Sequence, residues 1–348
     1  MDNRKERINA IIELGEFFRA FCEIDKKEEM DEWSSKLEDV ISLANHKNGW
    51  FTKENIVYAL DNWGVLLTKK KLEQWLSRYN LKNSKPKTVA LIMAGNIPLV
   101  GFHDFLSVLL SGNKVLIKLS SNDAILLPFI ADFLKKQSSV FENAIEFTEG
   151  KLDHFDAVIA TGSDNTARYF EHYFGNKPNV IRKNRNSVAV LTGKESTEEL
   201  NALGEDIFRY YGLGCRSVSK VFVPKGYEFK KFFEAIFDFN PIINQVKYAN
   251  NYDYNKAVYL MSEFNILENG FLMLKEDKSY SSPIATLFYE EYDELNKLKQ
   301  HLLTDKKKIQ CVVGNGILED EIKFGKTQKP SLTDYADGVD TVEFLLKT

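Results

Sequence analysis

The chain has 348 residues, a formal net charge of −4 at pH 7, 44% hydrophobic and 28% charged residues. At ~150 residues per domain that length predicts about two domains, and the composition is that of a chain able to fill a core. The balanced charge argues against a nucleic-acid binder, which needs a basic surface, and apolar runs such as 89–94 and 115–117 are far short of the ~18 residues of a membrane helix.

Residues 1–85 read as helical. Ile8, Ile11, Ile12, Leu14, Phe18, Phe21 and Cys22 recur at helical spacing with charged residues between them, and 60–79 carries a second such pattern. The opening Met-Asp-Asn-Arg-Lys-Glu-Arg has no apolar stretch behind it and predicts no secretory signal. The polar stretch 82–87 reads as a linker. Then the pattern changes. Residues 88–94 are a nearly unbroken apolar run, as in a strand buried on both faces. A helix over 99–110 and a strand over 114–119 complete a βαβ unit of about 30 residues. The alternation continues with a helix at 123–136, strands at 145–147 and 156–160, a helix at 164–174 and a strand at 188–191. A second α/β pattern follows: helix 197–210, strand 218–223, helices near 229–237 and 254–264, and strands at 284–288 and 309–313. The fold class expected is α/β, with a doubly wound, Rossmann-type first part, an α/β second part and a helical N-terminal segment.

Four segments could carry chemistry. Cys215 stands in Gly212-Leu213-Gly214-Cys215-Arg216-Ser217, where the glycines leave room around the thiol and Arg216 could favour the thiolate. It reads equally as a buried structural cysteine at a helix–strand junction. Asn96, in Gly95-Asn96-Ile97-Pro98, ends a core strand at the edge where open α/β sheets bind ligands; it could help hold an oxyanion, or be part of an ordinary turn. Lys118, before Leu119-Ser120-Ser121, ends the next strand and could reach ribose hydroxyls or a phosphate, or be merely solvated. Thr161-Gly162-Ser163 ends a third strand and opens a helix, as an anion site or a simple Ser cap. No Gly-x-Gly-x-x-Gly follows a strand. The three cysteines, Cys22, Cys215 and Cys311, form no disulfide framework or zinc spacing, and the five histidines show no metal-ligand spacing. No metal is expected, and a reducing cytoplasm is the expected setting.

Together these segments resemble the aldehyde dehydrogenase superfamily and, within it, the LuxC-type acyl-CoA reductases. The resemblance runs from about residue 86 to the C-terminus. It is carried by Met93-Ala94-Gly95-Asn96-Ile97-Pro98 through Lys118-Leu119-Ser120, by 212–219, and by Gln328-Lys329-Pro330-Ser331-Leu332-Thr333-Asp334-Tyr335-Ala336-Asp337-Gly338-Val339-Asp340. It implies that Cys215 is the catalytic thiol, that Asn96 with the cysteine's backbone N–H forms the oxyanion hole, that Lys118 binds the adenosine ribose and that Ser163, with Thr161 and Gly162, holds the pyrophosphate. It implies a three-part architecture: a cofactor domain, a catalytic domain carrying Cys215 and an oligomerisation element. The division expected along the chain is 1–85 helical, 86–187 cofactor-binding, 188–320 bearing the thiol, and 321–348 closing the active site. A homo-oligomer, a dimer or larger, is expected.

The departures from the superfamily matter as much. Its hydrolytic members carry a water-activating Glu upstream of the thiol; here Arg182 takes that position by count, and no acid occurs from 181 to 194. Ser279 stands where those members place a carboxylate on the nicotinamide ribose. Ser121 stands where NAD-preferring relatives often have Glu, so NADPH is expected over NADH. The expected reaction is reduction of an acyl-CoA, with a fatty acyl chain, to an aldehyde through a cysteine thioester. A semialdehyde or acyl-phosphate reductase would use the same thiol. A cysteine hydrolase or acyltransferase pairing Cys215 with His154 or His172, or a non-catalytic binding subunit, are the rival classes.

Overall fold

The structure, a computed structural model, describes residues 3–24, 30–81 and 85–348. The chain forms two compact units: Met1–Lys183 with Ser331–Thr348, and Asn184–Pro330. The expected linker at 82–87 falls partly outside the described residues, at 82–84.

The first unit begins with four helices, α1 (Arg4–Glu23), α2 (Glu32–Lys47), α3 (Lys53–Leu66) and α4 (Lys69–Leu76). The single helical pattern expected over 60–79 is two helices. Thr68 breaks it, because its side chain accepts from the Lys71 N–H and starts a new helix. Asp31 and Thr52 cap α2 and α3 in the same way. Five strands then alternate with helices: β1 (Thr88–Ile92), α5 (Phe102–Leu110), β2 (Lys114–Lys118), α6 (Leu126–Gln137), β3 (Ile145–Phe147), β4 (Ala157–Thr161), α7 (Asp164–Phe174) and β5 (Asn179–Arg182). All pairings are parallel, in the order β3-β2-β1-β4-β5. The order reverses direction beside β1, which leaves a crevice outside the carboxyl ends of β1 and β4.

The N-terminal helices and this sheet share one core. Ile11, Leu14 and Phe18 of α1 are fully buried in the same cluster as Phe102 and Phe105 of α5 and Ile130 of α6. Phe17 stacks on Phe133 at 4.8 Å, and Trp63 meets Phe102 edge-on at 4.8 Å. Arg7 ties α1 to the end of α5 by donating to the carbonyls of Leu109 and Asn113, at 2.6 and 2.8 Å.

Residues 331–348 return to this unit. Leu332, Val342 and Leu345 enter its core. Arg182 donates from Nη2 to Asp104 Oδ1 at 2.7 Å and from Nε to Oδ2 at 3.2 Å, a buried two-pronged ion pair. The same guanidinium donates to the Ala336 carbonyl at 2.6 Å and to Thr341 Oγ1 at 3.0 Å. Trp75 Nε1 donates to the Tyr335 hydroxyl at 2.6 Å, and the Tyr79 hydroxyl donates to Asp340 Oδ2 at 2.6 Å. His103 lies between Trp75 and Tyr335 with Nε2 3.0 Å from the Leu332 carbonyl, a packing position.

The second unit runs β6 (Asn186–Val190), α8 (Thr197–Phe208), β7 (Val218–Pro224), α9 (Lys230–Ala235), α10 (Val246–Met261), β8 (Ile266–Glu268), β9 (Met273–Glu276), β10 (Thr286–Tyr292), α11 (Leu295–Thr304) and β11 (Ile309–Val313). Its sheet has the order β11-β6-β7-β10-β9-β8, parallel except for the edge pair β8 and β9. A full capping box at Ser196 and Glu199 starts α8. The helix expected at 254–264 lies eight residues earlier at its start, where Gln245 caps it. Among the described residues, no helix is long and apolar enough to cross a membrane.

Replacing Arg182 with Met removes the cation and leaves Asp104 as a buried, uncompensated charge. Such a loss costs about 3–5 kcal/mol. Urea unfolding of Arg182→Met should show a midpoint well below that of the unaltered chain; a midpoint within error of it would mean the pair does not hold the C-terminal segment.

Candidate active site

In the first unit, the parallel register aligns three strand ends. Ile92 of β1 pairs with Lys118 of β2 and with Ala160 of β4, so Met93, Leu119 and Thr161 follow at one edge of the sheet, Thr161 still paired with Arg182 of β5. Lys118 is half-buried, and its Nζ donates to the Gly150 carbonyl at 2.9 Å. Ser121 is exposed three residues on. Ser163 caps α7, accepting from the Thr166 N–H at 3.3 Å. Gly162 lets β4 and α7 approach closely, since a Cβ there would lie 2.9 Å from Thr166 Cβ. The five sequence-derived positions Lys118, Ser121, Thr161, Gly162 and Ser163 are thus brought to one sheet edge, at the end of the crevice beside β1 and β4. An exposed helix N-terminus with a hydroxyl, and a lysine two strands away at the end of β2, suit a dinucleotide: the first for phosphates, the second for a ribose.

Asn96 sits on the exposed turn between β1 and α5. The expected helix over 99–110 starts later, at Phe102, because Leu99 takes a left-handed conformation with φ of 57°. Its N–H donates to Asp123 Oδ2 at 3.3 Å. Burial pushes the Asp123 carboxyl up to about 6 against the pull of the Leu99 and Leu126 amides. Asp123 therefore ties the Asn96 turn to the turn after β2, a contact not foreseen from sequence.

In the second unit, Cys215 lies between α8 and β7, at the amino end of its sheet rather than the carboxyl end. Tyr210, Tyr211 and Gly212 all have positive φ (55°, 59° and 74°). For the two tyrosines this costs roughly 1–2 kcal/mol each. The left-handed run swings the chain out of α8 and presents Cys215 exposed. The backbone beyond it is held. Ser217 N–H donates to the Gly214 carbonyl at 2.9 Å, closing a turn around Cys215. Ser187 of β6, fully buried, donates from Oγ to the Cys215 carbonyl at 2.9 Å, beside a register shift between β6 and β7. Arg216 donates from Nε to the Thr327 carbonyl.

The other thiols are placed differently. Cys22 is half-buried on α1, and burial, with Asp61 and Glu23 nearby, pushes its thiol up to about 12. Cys311 is buried on β11. Arg182 is sequestered with Asp104 within the first unit. Ser279 donates its N–H to Asp277 Oδ1 at 2.8 Å.

Comparison with known proteins bears on the family and the fold. A sequence model of the family described as acyl-CoA reductase (LuxC) matches residues 11–237. The match includes most of the N-terminal helices, which the sequence resemblance did not cover, and stops before 328–340. A curated relative, the long-chain acyl-protein thioester reductase of Aliivibrio fischeri, is 27% identical over 231 residues, covering 60% of this chain. The chain spans only about half of that relative's length, 47%. Among solved structures, an NAD-dependent aldehyde dehydrogenase from Sinorhizobium meliloti superposes with a TM-score of 0.66 at 12% identity, covering 94% of this chain and 72% of its own. An aldehyde dehydrogenase from Pseudomonas aeruginosa gives 0.65 at 12% identity, over 90% and 72%. The fold is aldehyde-dehydrogenase-like.

Brief treatment with iodoacetamide should label Cys215 well before Cys22 or Cys311, because the thiolate is the reacting form and must be reachable. Peptide mapping reads the order; earlier labelling of Cys22 would contradict this placement.

Proposed function

Because the chain belongs to the acyl-CoA reductase (LuxC) family, we propose that it reduces an acyl thioester to an aldehyde, passing the acyl group through a thioester on Cys215. The single observation that carries this reading is the exposed Cys215 on a backbone held by Ser187 and closed by Ser217, in a chain with no acid from 181 to 194. The thiolate attacks the thioester carbonyl, and the donor thiol leaves and takes a proton. Asn96 is the proposed oxyanion donor, its amide displayed on the exposed turn of the first unit. A nicotinamide dinucleotide, when bound, supplies a hydride to the acyl carbon. Collapse of the resulting thiohemiacetal breaks the C–S bond, releases aldehyde and restores the Cys215 thiolate.

Ser163 and Gly162, with the start of α7, are the proposed pyrophosphate holders, and Lys118 and Thr161 complete that edge. No acid occurs from 118 to 122, and Asp123 turns its carboxylate to the Leu99 N–H. Nothing in that stretch repels a 2′-phosphate, so NADPH is the proposed cofactor. The acyl donor is proposed to be a coenzyme A thioester with a fatty acyl chain. The name of the Aliivibrio fischeri relative makes a protein-bound thioester the second donor to test. A homo-oligomer and a cytoplasmic setting belong to the same proposal.

The fate of the acyl-enzyme follows from the missing base. Water is a weak nucleophile, and general-base help is typically worth ~10²–10⁴ in rate. Arg182, which takes the place of that base by count, is a guanidinium paired with Asp104. The acyl-enzyme should therefore resist hydrolysis and yield to a thiol.

Intact-protein mass spectrometry after incubation with acyl-CoA alone should show one acyl group, mapped to Cys215 and absent from Cys215→Ala. In reverse, aldehyde oxidation with NADP⁺ should turn over only when coenzyme A is present. Sustained carboxylic acid release without it would reveal a base elsewhere and an ordinary aldehyde dehydrogenase. Asn96→Ala should lower turnover by roughly 10²–10³.

Cofactor choice is tested separately. Steady-state kinetics should favour NADPH, and Ser121→Glu should shift preference toward NADH by placing a carboxylate where the 2′-phosphate would lie. Equal kinetics with both cofactors in the unaltered chain would overturn the assignment.

A further inference from the structure

Asp206 occupies a position on α8 where the helix buries Leu200, Leu203 and Ile207, and it is itself 0% exposed. A carboxylate there is out of place in an apolar face and needs donors. It finds them in the segment after β11. Thr327 donates to Oδ1 from its backbone N–H at 2.9 Å and from its hydroxyl at 2.8 Å, and Gly325 donates its N–H to Oδ2 at 2.6 Å. Gly325 adopts φ of +76°, and a Cβ there would lie 3.1 Å from Ala202 Cβ, so this backbone lies tight on α8. The pinned segment then reaches the thiol loop. The Thr327 carbonyl accepts from Arg216 Nε, and Gln328 Nε2 donates to Ser217 Oγ at 3.2 Å. Both residues that follow Cys215 are thereby held by the segment that Asp206 fixes.

We propose that Asp206 is a positioning residue for the Cys215 nucleophile, acting through the Thr327 carbonyl to fix the guanidinium of Arg216, the residue that follows the thiol. The proposal rests on the reading of Cys215 as nucleophile given above. Physically, three donors converge on one buried carboxylate, so the 325–327 backbone cannot shift without leaving a buried charge short of partners. The Thr327 carbonyl is then a fixed acceptor, and Arg216 cannot swing freely into solvent. A cation fixed on the residue that follows a thiol, in place of one free to move into solvent, favours the thiolate.

Burial pushes the Asp206 carboxyl up to about 6, against the pull of Thr327 and Gly325. From its own helix Glu205 adds to that push, and Glu205 is paired with Arg209 at 2.5 Å; from the opposing segment it meets two amides and a hydroxyl. At pH 7 Asp206 is therefore mostly ionised, the form that accepts all three bonds. Its raised value means that its contribution to folding stability is present at low pH and lost as pH rises through about 6. Its hold on the thiol loop runs in the opposite direction, so it serves position at the expense of stability.

The test compares the full chain with Asp206→Asn, Arg216→Gln and the double variant, following alkylation of Cys215 by iodoacetamide across pH. Asp206→Asn keeps the shape of the side chain, but it removes the charge and turns an amide donor toward groups that need an acceptor. Alkylation at pH 7 should fall about 10-fold and the midpoint of the pH profile should move up, the change that follows withdrawal of an opposite charge from a thiolate. Arg216→Gln should do the same, and the double variant should be no slower than Arg216→Gln alone. Circular dichroism checks that each variant is folded. Should Asp206→Asn not fold, Thr327→Val takes its place; it removes one of the two donors to Oδ1 and should move the midpoint in the same direction by less. An unmoved midpoint in the folded variant, or losses that multiply in the double variant, would overturn the proposal. Alkylation needs neither thioester nor nicotinamide, so this result is independent of whether the chain reduces acyl thioesters.

Discussion

The left-handed turn at Tyr210, Tyr211 and Gly212 is the constraint around which the second unit is arranged. Two consecutive tyrosines do not take up that backbone unaided, because each brings its Cβ against a carbonyl oxygen. The contacts beyond the turn fix the chain that it redirects. Ser187 holds the Cys215 carbonyl, Ser217 closes the turn on Gly214, and the Thr327 and Gln328 pair secures the two residues that follow. A thiol can be open to substrate only if its backbone is held by something other than burial of its own side chain. Strain before the cysteine and hydrogen bonds after it meet that need together.

The first unit meets a different requirement. A long ligand laid along a sheet edge needs several strand ends in register, and parallel pairing supplies that without further devices. What the sheet does not supply is a firm turn for Asn96, and here a single half-buried carboxylate acts. Asp123 accepts from Leu99, whose left-handed backbone needs such an anchor. Both units thus use an aspartate, half-buried at Asp123 and fully buried at Asp206 and pushed up to about 6 by desolvation, to fix backbone next to a proposed site residue. Each forgoes some stability for position, a common arrangement at functional sites.

The buried Arg182–Asp104 pair shows why residue-by-residue reading of a family pattern needs the fold beside it. By count Arg182 stands for a base; in space its side chain holds Ala336 and Thr341 at the far end of the chain. The stretch 181–194 still lacks an acid, although Arg182 has other work.

The periodicities of the sequence determined the α/β alternation, because apolar runs such as 88–92 and 114–118 can be buried only as strands flanked by helices. They also set the type and approximate extent of α7, β7 and β11. The residue types of the four chemical segments made Cys215, Asn96, Lys118 and Ser163 candidates, and the family resemblance is what assigned each a role over an ordinary turn, cap or buried cysteine. Short elements escaped. The four residues of β5 and the three of β8 carry too little pattern, and both exist because a neighbouring strand offers a ladder. Only the tertiary structure decided that the N-terminal helices share a core with the first sheet and that 331–348 returns to it, since those contacts join residues far apart in the chain, as Arg7 meets Leu109 and Arg182 meets Ala336. Asp206 left a trace in the sequence, a charge on the apolar face of α8, but its partners lie about 120 residues on. A buried carboxylate is tolerable only where donors arrive from elsewhere in the chain, and where they arrive is a property of the folded structure alone.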